Sequence, residues 1–230
     1  MASRIMDKII AFVNPVRFKE ETSYLENILN EYKSKRPNYE EFRVAAHKTL
    51  EALLKEFEYK YQIVSRTKTH ARLEEKLLRK AEKGTYYHSV EEVEDLVGIR
   101  VIFYTESDRE KFAKQIKDEI GGFMKIEERQ NENGYKATHI VMSFGPKRVK
   151  LSEYKHFHGL KSEVQITSIL HHAWAEVEHD LIYKDINNLK SRDPAKFELM
   201  KEKMNKLLEK YIKKAAEELE NIMRDSMDPK

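Results

Sequence analysis

The 230-residue chain contains no cysteine. Disulfides, thiolate chemistry and cysteine-based zinc sites are therefore excluded, and the composition is compatible with a reducing cytoplasm. No run of about 18 apolar residues occurs, so no membrane span is expected. The N-terminal stretch MASRIMDKIIAFVNP has a short apolar patch but no cleavage-site pattern. It is expected to be a helix or arm packing on the domain. There is no internal repeat and no low-complexity tract. Nor does one charge dominate: 43 Lys and Arg stand against 40 Asp and Glu, a net of +3. That excess is too small to imply nucleic acid by itself. What the chain does have is 36% charged and 40% hydrophobic residues. This predicts a densely charged surface over a real core, in one domain with helical additions.

Hydrophobic spacing predicts two N-terminal helices. The first covers 16–35, with Tyr24, Leu25, Ile28, Leu29 and Tyr32 inward, and ends at Arg36-Pro37-Asn38. The second covers 39–57. A strand over 59–68 leads into a helix over 71–83. The apolar strand through Val101, Ile102 and Phe103 precedes a helix over 107–120, capped by Ser107 or Asp108 and stopped by Gly121-Gly122. Strands over 123–130 and 136–144 flank Asn133-Gly134, a strong hairpin signal. Between 145 and 161 a loop or extra short strand is expected. Then Glu163 and Gln165 alternate with Val164 and Ile166, as in a strand with one buried side. The helix after it carries the stripe Ile169, Leu170, Ala173, Trp174, Val177 and Leu181. Asp193-Pro194 reads as an N-cap with proline at the first position. It opens a long helix to about residue 223, whose stripe runs Phe197, Met200, Met204, Leu207, Leu208, Tyr211, Ala215, Leu219, Ile222.

Several residues on this framework can do chemistry. Glu163 and Gln165 point off one sheet face, about 6–7 Å apart. Arg66, Lys68, Arg72 and Lys76 put cations at a strand end and along the next helix, which suits a polyphosphate as well as a solvated basic face. Asp95 stands just ahead of a strand, where a plain turn residue also fits. Arg100 lies inside an apolar strand and must find a carboxylate or a π face. His139 sits on a strand, where histidines are often structural. Lys147, Arg148, Lys150, Lys155, His156, His158 and Lys161, interleaved with Tyr154 and Phe157, form either a solvated hairpin or a surface for phosphate-rich partners, with rings for stacking.

The order of these elements carries a resemblance. Residues 163–184 resemble the E-x-Q-I-R-T…W-x-x-x-E-H…Y-K signature of the RelA/SpoT-type alarmone synthetases, with Thr167-Ser168 where the family has Arg-Thr. Arg66, Lys68 and Lys76 resemble its R-x-K-x-x-x-S-x-x-x-K phosphate grip, with Arg72 in place of the serine. Asp95, Gly98 and Arg100 match D-x-x-G-x-R. Asn133, Gly134, Tyr135 and His139 resemble N-G-Y-x-S-x-H, with Ala137 in place of its serine.

The resemblance implies a nucleotidyltransferase-like α+β fold. A mixed sheet of about five strands would be flanked by helices, with N- and C-terminal helical extensions: helices over 1–58, a catalytic core over 59–184 and an extension over 185–230. It implies an ATP-dependent pyrophosphokinase acting on GTP or GDP, with Mg²⁺ between Asp95 and Glu163. ATP would lie on Arg66, Lys68, Arg72, Lys76 and Arg100. The acceptor would meet Asn133, Tyr135, His139, Gln165 and His172. The only His-Asp pair, His179-Asp180, lies within the signature, so no alarmone hydrolysis is expected. The alternative within the family is a toxin-type enzyme that modifies the 3′ end of tRNA or an adenine nucleotide, using the basic 147–161 segment and needing an antitoxin. A non-catalytic binding module is a third reading, which the carboxylate pair disfavours. Homo-oligomers through the terminal helices are common in such small enzymes.

Overall fold

The structure, a computed structural model, describes residues 15–120, 124–129, 137–185 and 187–227. The expected N-terminal arm, the Gly121-Gly122 stop, the Asn133-Gly134 turn and Tyr135 lie outside the described residues. Helix α1 (Pro15–Glu56) is followed by β1 (Tyr61–Thr67), α2 (His70–Ala81), β2 (Val97–Phe103) and α3 (Glu106–Ile120). Then come β3 (Met124–Arg129), β4 (Thr138–Phe144), β5 (Ser162–Ser168) and α4 (Ile169–Glu178). The chain closes with α5 (Leu189–Arg192), α6 (Pro194–Leu207) and α7 (Lys213–Met227). No helix of the described residues is long and apolar enough to cross a membrane.

The five strands form one mixed sheet in the order β1-β2-β5-β4-β3. Among the described residues β2 and β5 run parallel and the other strand pairs are antiparallel. Alternation decides the faces. Val97, Ile99, Val101 and Phe103 of β2 are buried together with Val164 and Ile166 of β5 and Ile140 and Met142 of β4. Helix α1 covers that side with Tyr32, Tyr39, Phe42, Ala46, Leu50 and Leu54, and α2 adds Leu73 and Leu77. The opposite face carries the polar residues of the same strands.

Residues 16–57 are not two helices. Pro37 lies inside one continuous helix. Tyr32 and Tyr39 are seven residues apart, about two turns, so the buried stripe keeps its phase across the proline. Their rings pack at 5.9 Å between centroids. Pro37 itself faces solvent, where water can meet the carbonyl left without its partner. Burial on both sides outweighs the local break.

Three further expectations are corrected. Thr105, rather than Ser107 or Asp108, caps α3: its Oγ1 accepts from the Asp108 amide at 3.2 Å. The buried face of α4 is His171 and Trp174, while Ala173 is exposed and Val177 is 49% exposed. Of the loop or short strand expected over 145–161 the structure has the loop, with two 3₁₀ turns, Arg148–Lys150 and Ser152–Phe157. Its rings are not free for stacking on a ligand. Phe157 is buried, and Tyr154 and Phe157 pack on Phe144. Lys147, Lys150 and Lys155 stay exposed.

The C-terminal helices close on the other end of the core. Asp193 caps α6 as expected, accepting from the Lys196 amide at 3.0 Å. The Trp174 indole donates to the Met204 carbonyl at 2.9 Å, just ahead of a π-turn at Leu208–Ile212. Glu220 of α7 accepts from the Ser107 amide at 3.1 Å, in the first turn of α3. The outer part of the stripe does not pack: Leu207, Tyr211, Leu219 and Ile222 are exposed.

A buried polar cluster ties α3 to the β5–α4 junction. Glu106 accepts from Arg109 Nε at 2.8 Å, meets His171 Nδ1 at 2.7 Å and accepts from Ser168. Burial pushes the Glu106 carboxyl up, but the hydrogen bonds from His171, Ser168 and Arg109 and the Arg109 charge pull it down further, to about 2. Glu106→Ala removes the carboxylate that Arg109 and His171 share and leaves Arg109 to Glu110 and Thr138, and a loss of about 1.5–3 kcal/mol is expected in urea unfolding. Because the carboxyl is depressed when folded, its contribution is present above the ordinary value of 4.5 and disappears as pH falls toward 2. The stability of Glu106→Gln in urea should therefore change less with pH in that window than that of the parent.

Candidate active site

The register of the central strands brings the polar motif residues into two rows on the open face. In one row Arg66, Gly98 and Glu163 stand side by side, followed by Val141. In the next row are Val64, Arg100, Gln165 and His139. Gly98 leaves the floor between Arg66 and Glu163 bare. A Cβ there would meet the Arg66 stem at 4.0 Å, an ordinary contact. The glycine is therefore not forced by local crowding, and its effect is to open space between a cation and a carboxylate.

Asp95 lies at the entrance of β2. Lys76 Nζ of α2 is 2.6 Å from its Oδ1, and Lys68 Nζ is 3.1 Å from its Oδ2. The Lys68 amide donates to the Leu96 carbonyl at 2.8 Å, which fixes the end of β1 beside Asp95. The Tyr32 hydroxyl of α1 donates to the Lys68 carbonyl from behind. Glu31 of α1 accepts from the Val90 amide at 2.9 Å, ahead of Asp95 on the other side. The N-terminal helix thus holds both approaches to this carboxylate. Burial raises the Asp95 carboxyl, but Lys76 and Lys68 outweigh it, and the group stays below its ordinary value.

Glu163 is paired differently. His139 Nδ1 is 2.9 Å from its Oε1. Burial pushes the Glu163 carboxyl up. The His139 hydrogen bond and charge pull it down, Asp95 pushes it up again, and the net shift is downward. The two carboxylates therefore feel each other's charge. Both are partly buried, with side chains 27% and 23% exposed. No group of three or more His, Asp or Glu suited to a metal occurs among the described residues. Two repelling carboxylates beside a bare floor fit an oxygen-seeking cation that fills its shell with waters and phosphate oxygens, which is the habit of Mg²⁺.

Arg100 finds its partners on two elements. Gln165 Oε1 accepts from its Nε at 3.0 Å, and Glu176 Oε1 of α4 accepts from its Nη1 at 2.6 Å. His172 Nδ1 is 3.4 Å from the same Nη1. Burial and the Arg100 charge lower the His172 pKa. Gln165 and His172, which the resemblance puts with the acceptor, are thus joined to Arg100. Arg72 stands apart: it pairs with Glu75 of its own helix at 2.8 Å, with a 59% exposed side chain. Asn133 and Tyr135 lie outside the described residues. Glu176 was not singled out in the sequence. The signal for it was the demand of Arg100 for a partner, together with the i,i+4 spacing from His172.

Comparison with known proteins gives this cleft its context. The region found in RelA / SpoT proteins matches residues 65–188, slightly more than half of the chain and the stretch from Arg66 to Glu176 that carries the charged groups of the cleft. The chain belongs to the RelA/SpoT family. It is 29% identical over 128 residues to GTP pyrophosphokinase YwaC of Bacillus subtilis (strain 168), which is 54% of this chain and 58% of the length of that relative. Among solved structures it resembles small alarmone synthetase 1 from Bacillus subtilis at TM-score 0.65 and 18% identity, covering 87% of this chain and 100% of that one. The same enzyme bound to its product pppGpp matches at TM-score 0.59 and 20% identity, over 86% and 96% of the two chains. A GTP pyrophosphokinase family protein from Streptococcus pneumoniae matches at TM-score 0.61 and 20% identity, over 86% and 98%. At these identities the structural matches establish a shared fold: the mixed sheet flanked by helices is that of the small alarmone synthetases.

The shared fold makes the Asp95 pairing a testable property of this RelA/SpoT chain. Asp95→Asn leaves Lys68 and Lys76, 18% and 15% exposed, facing each other without their anion. A loss of about 1–3 kcal/mol is expected in urea unfolding. Inorganic pyrophosphate should restore part of it by bridging the two cations, and should raise the Tm of the variant more than that of the parent. Unchanged stability in the variant would mean that Asp95 does not hold the lysines.

Proposed function

We propose that this chain is an ATP-dependent pyrophosphokinase that transfers the β,γ-pyrophosphate of ATP to the ribose 3′-hydroxyl of GDP or GTP. The observation that carries the reading is the carboxylate pair Asp95 and Glu163, flanked by Lys68 and Lys76 on an open sheet face, in a RelA/SpoT family chain. Asp95 and Glu163 would hold Mg²⁺, which when bound neutralises phosphate charge and polarises the phosphorus that is attacked. In this reading Lys68 and Lys76 turn from Asp95 to the phosphates of ATP. Arg66 and Arg100 border the adenine. Arg72, more exposed, meets the outer phosphate after leaving Glu75. The acceptor lies toward His139, with Asn133 and Tyr135 on the acceptor side.

The acceptor 3′-oxygen attacks the β-phosphorus. The bond from that phosphorus to the oxygen bridging it to the α-phosphorus breaks, and AMP leaves with the bridging oxygen. The hydroxyl proton is assigned to Glu163, whose hydrogen bond with His139 orients the carboxylate. Most of the acceleration then comes from positioning and fixed charge.

A second reading takes the 3′ end of tRNA as acceptor. The exposed Lys147, Lys150 and Lys155 favour it. The inward rings of Tyr154 and Phe157 count against a stacking surface on the same segment.

The test uses ATP labelled at its γ-phosphate, with Mg²⁺ and, separately, GDP, GTP, ATP and deacylated tRNA. Label on a guanine nucleotide is the expected result, and Glu163→Gln should reduce transfer by about a hundredfold or more. Label on tRNA alone would replace the guanine acceptor with RNA. No transfer to any of the four would leave a binding module.

A further inference from the structure

The guanidinium of Arg100 is planar, with five N–H donors around its edge and two flat faces. In this chain the edge is pinned from two elements. Gln165 of β5 takes Nε, and Glu176 of α4 takes Nη1 at 2.6 Å, with His172 beside the same nitrogen. Hydrogen bonds in the plane do not occupy the faces. A guanidinium fixed by its edge is a flat cation ready to stack on a planar ring. The Arg100 side chain is 27% exposed, so it is reachable from the cleft.

Glu176 has no evident role in holding the fold. Its side chain is 58% exposed, and an ion pair this open to water contributes little to stability. It lies on the same face of α4 as His172, one turn further on. The carboxylate reaches across from the helix to the sheet, which restricts where Arg100 can point. Without it, Gln165 would be left as the main tether, at Nε, and the outer end of the guanidinium would be free to swing.

We propose that Glu176, together with Gln165, braces Arg100 as a preset platform for the adenine ring of ATP. Glu176 is then a positioning residue for the nucleotide, and Gln165 serves the ATP side of the cleft. The proposal rests on the reading above, in which ATP binds with its adenine against Arg100.

The test separates adenine from phosphate. Binding to the full chain is measured by calorimetry, with Mg²⁺, for the α,β-methylene analogue of ATP and for inorganic tripolyphosphate. Glu176→Ala is expected to weaken the nucleotide analogue roughly three- to tenfold, the scale of one cation–π contact. Tripolyphosphate should bind as before, since no lysine is disturbed. Glu176→Gln keeps an acceptor oxygen at the same reach and should recover most of the loss. In turnover, Glu176→Ala should raise the KM for ATP more than it lowers kcat.

Arg100→Met, run in parallel, keeps the stem and removes the plane. Loss of the nucleotide preference in Arg100→Met but not in Glu176→Ala overturns the brace and leaves the ATP reading standing. Retention of the preference in both variants removes the adenine from Arg100, and both claims fall. An equal loss for both ligands in Glu176→Ala marks general damage to the site and also overturns the brace.

Discussion

The parallel pairing of β2 with β5 fixes where every charged group of the cleft stands. Its register sets Gly98 beside Glu163 and Arg100 beside Gln165. The same register sends Ile99, Val101, Val164 and Ile166 to the other face, where α1 buries them. A slip of one residue in β5 would put a carboxylate and an amide into the core, a slip in β2 would bury Arg100, and either would turn apolar side chains into the cleft. The penalty for that slip is large, because the buried side is continuous from β1 to β4. The site's precision is therefore inherited from the hydrophobic core beneath it. The antiparallel neighbours extend the rows outward, adding Arg66 on one side and His139 on the other.

On this frame the charged groups of the cleft neutralise one another. Asp95 is held by two lysines, Glu163 by a histidine, and Arg100 by Glu176. Partly buried charges without partners would cost several kcal/mol each. Mutual pairing avoids that and still leaves each group near the place where a nucleotide phosphate, a cation or a base would need it. In such an arrangement a ligand binds by exchange. A phosphate can draw Lys68 and Lys76 away only if something else satisfies Asp95, and a divalent cation can settle on Asp95 only if the lysines find another anion. A metal and a triphosphate would each supply what the other displaces, and their binding would then be coupled by charge balance.

Much of this was legible in the sequence. The strand alternation of Glu163 and Gln165, the positions of Lys68 and Lys76 and the Asp95–Arg100 spacing each predicted the correct element, while Arg72 turned away to Glu75. Local chemistry decides those features, and local chemistry is what spacing reports. The misreadings came from tertiary context. Pro37 is a strong breaker in isolation, yet the phase of the buried tyrosines continues through it. Val177 has helical spacing from Trp174, but α6 takes up the Trp174 side and leaves Val177 in water. Tyr154 and Phe157 look like a stacking surface until Phe144 is seen to claim both rings. The partners of Arg100 could not be named, because Glu176 reaches it from an element far along the chain.

The terminal helices bear on the site more directly than their position in the chain suggests. Helix α1 touches the carbonyl of Lys68 and the amide of Val90, the residues that lead to Asp95 from either side. Helix α6 receives the indole of Trp174, which lies one turn before Glu178 and between His172 and Glu176 on α4. Helix α7 caps α3, and α3 in turn anchors the end of β5 through Glu106 and Ser168. Each contact acts on backbone or on buried side chains, where displacement is costly. A force applied to the exposed apolar side of α6 and α7 would therefore reach α4 first, and with it the carboxylate that aims Arg100.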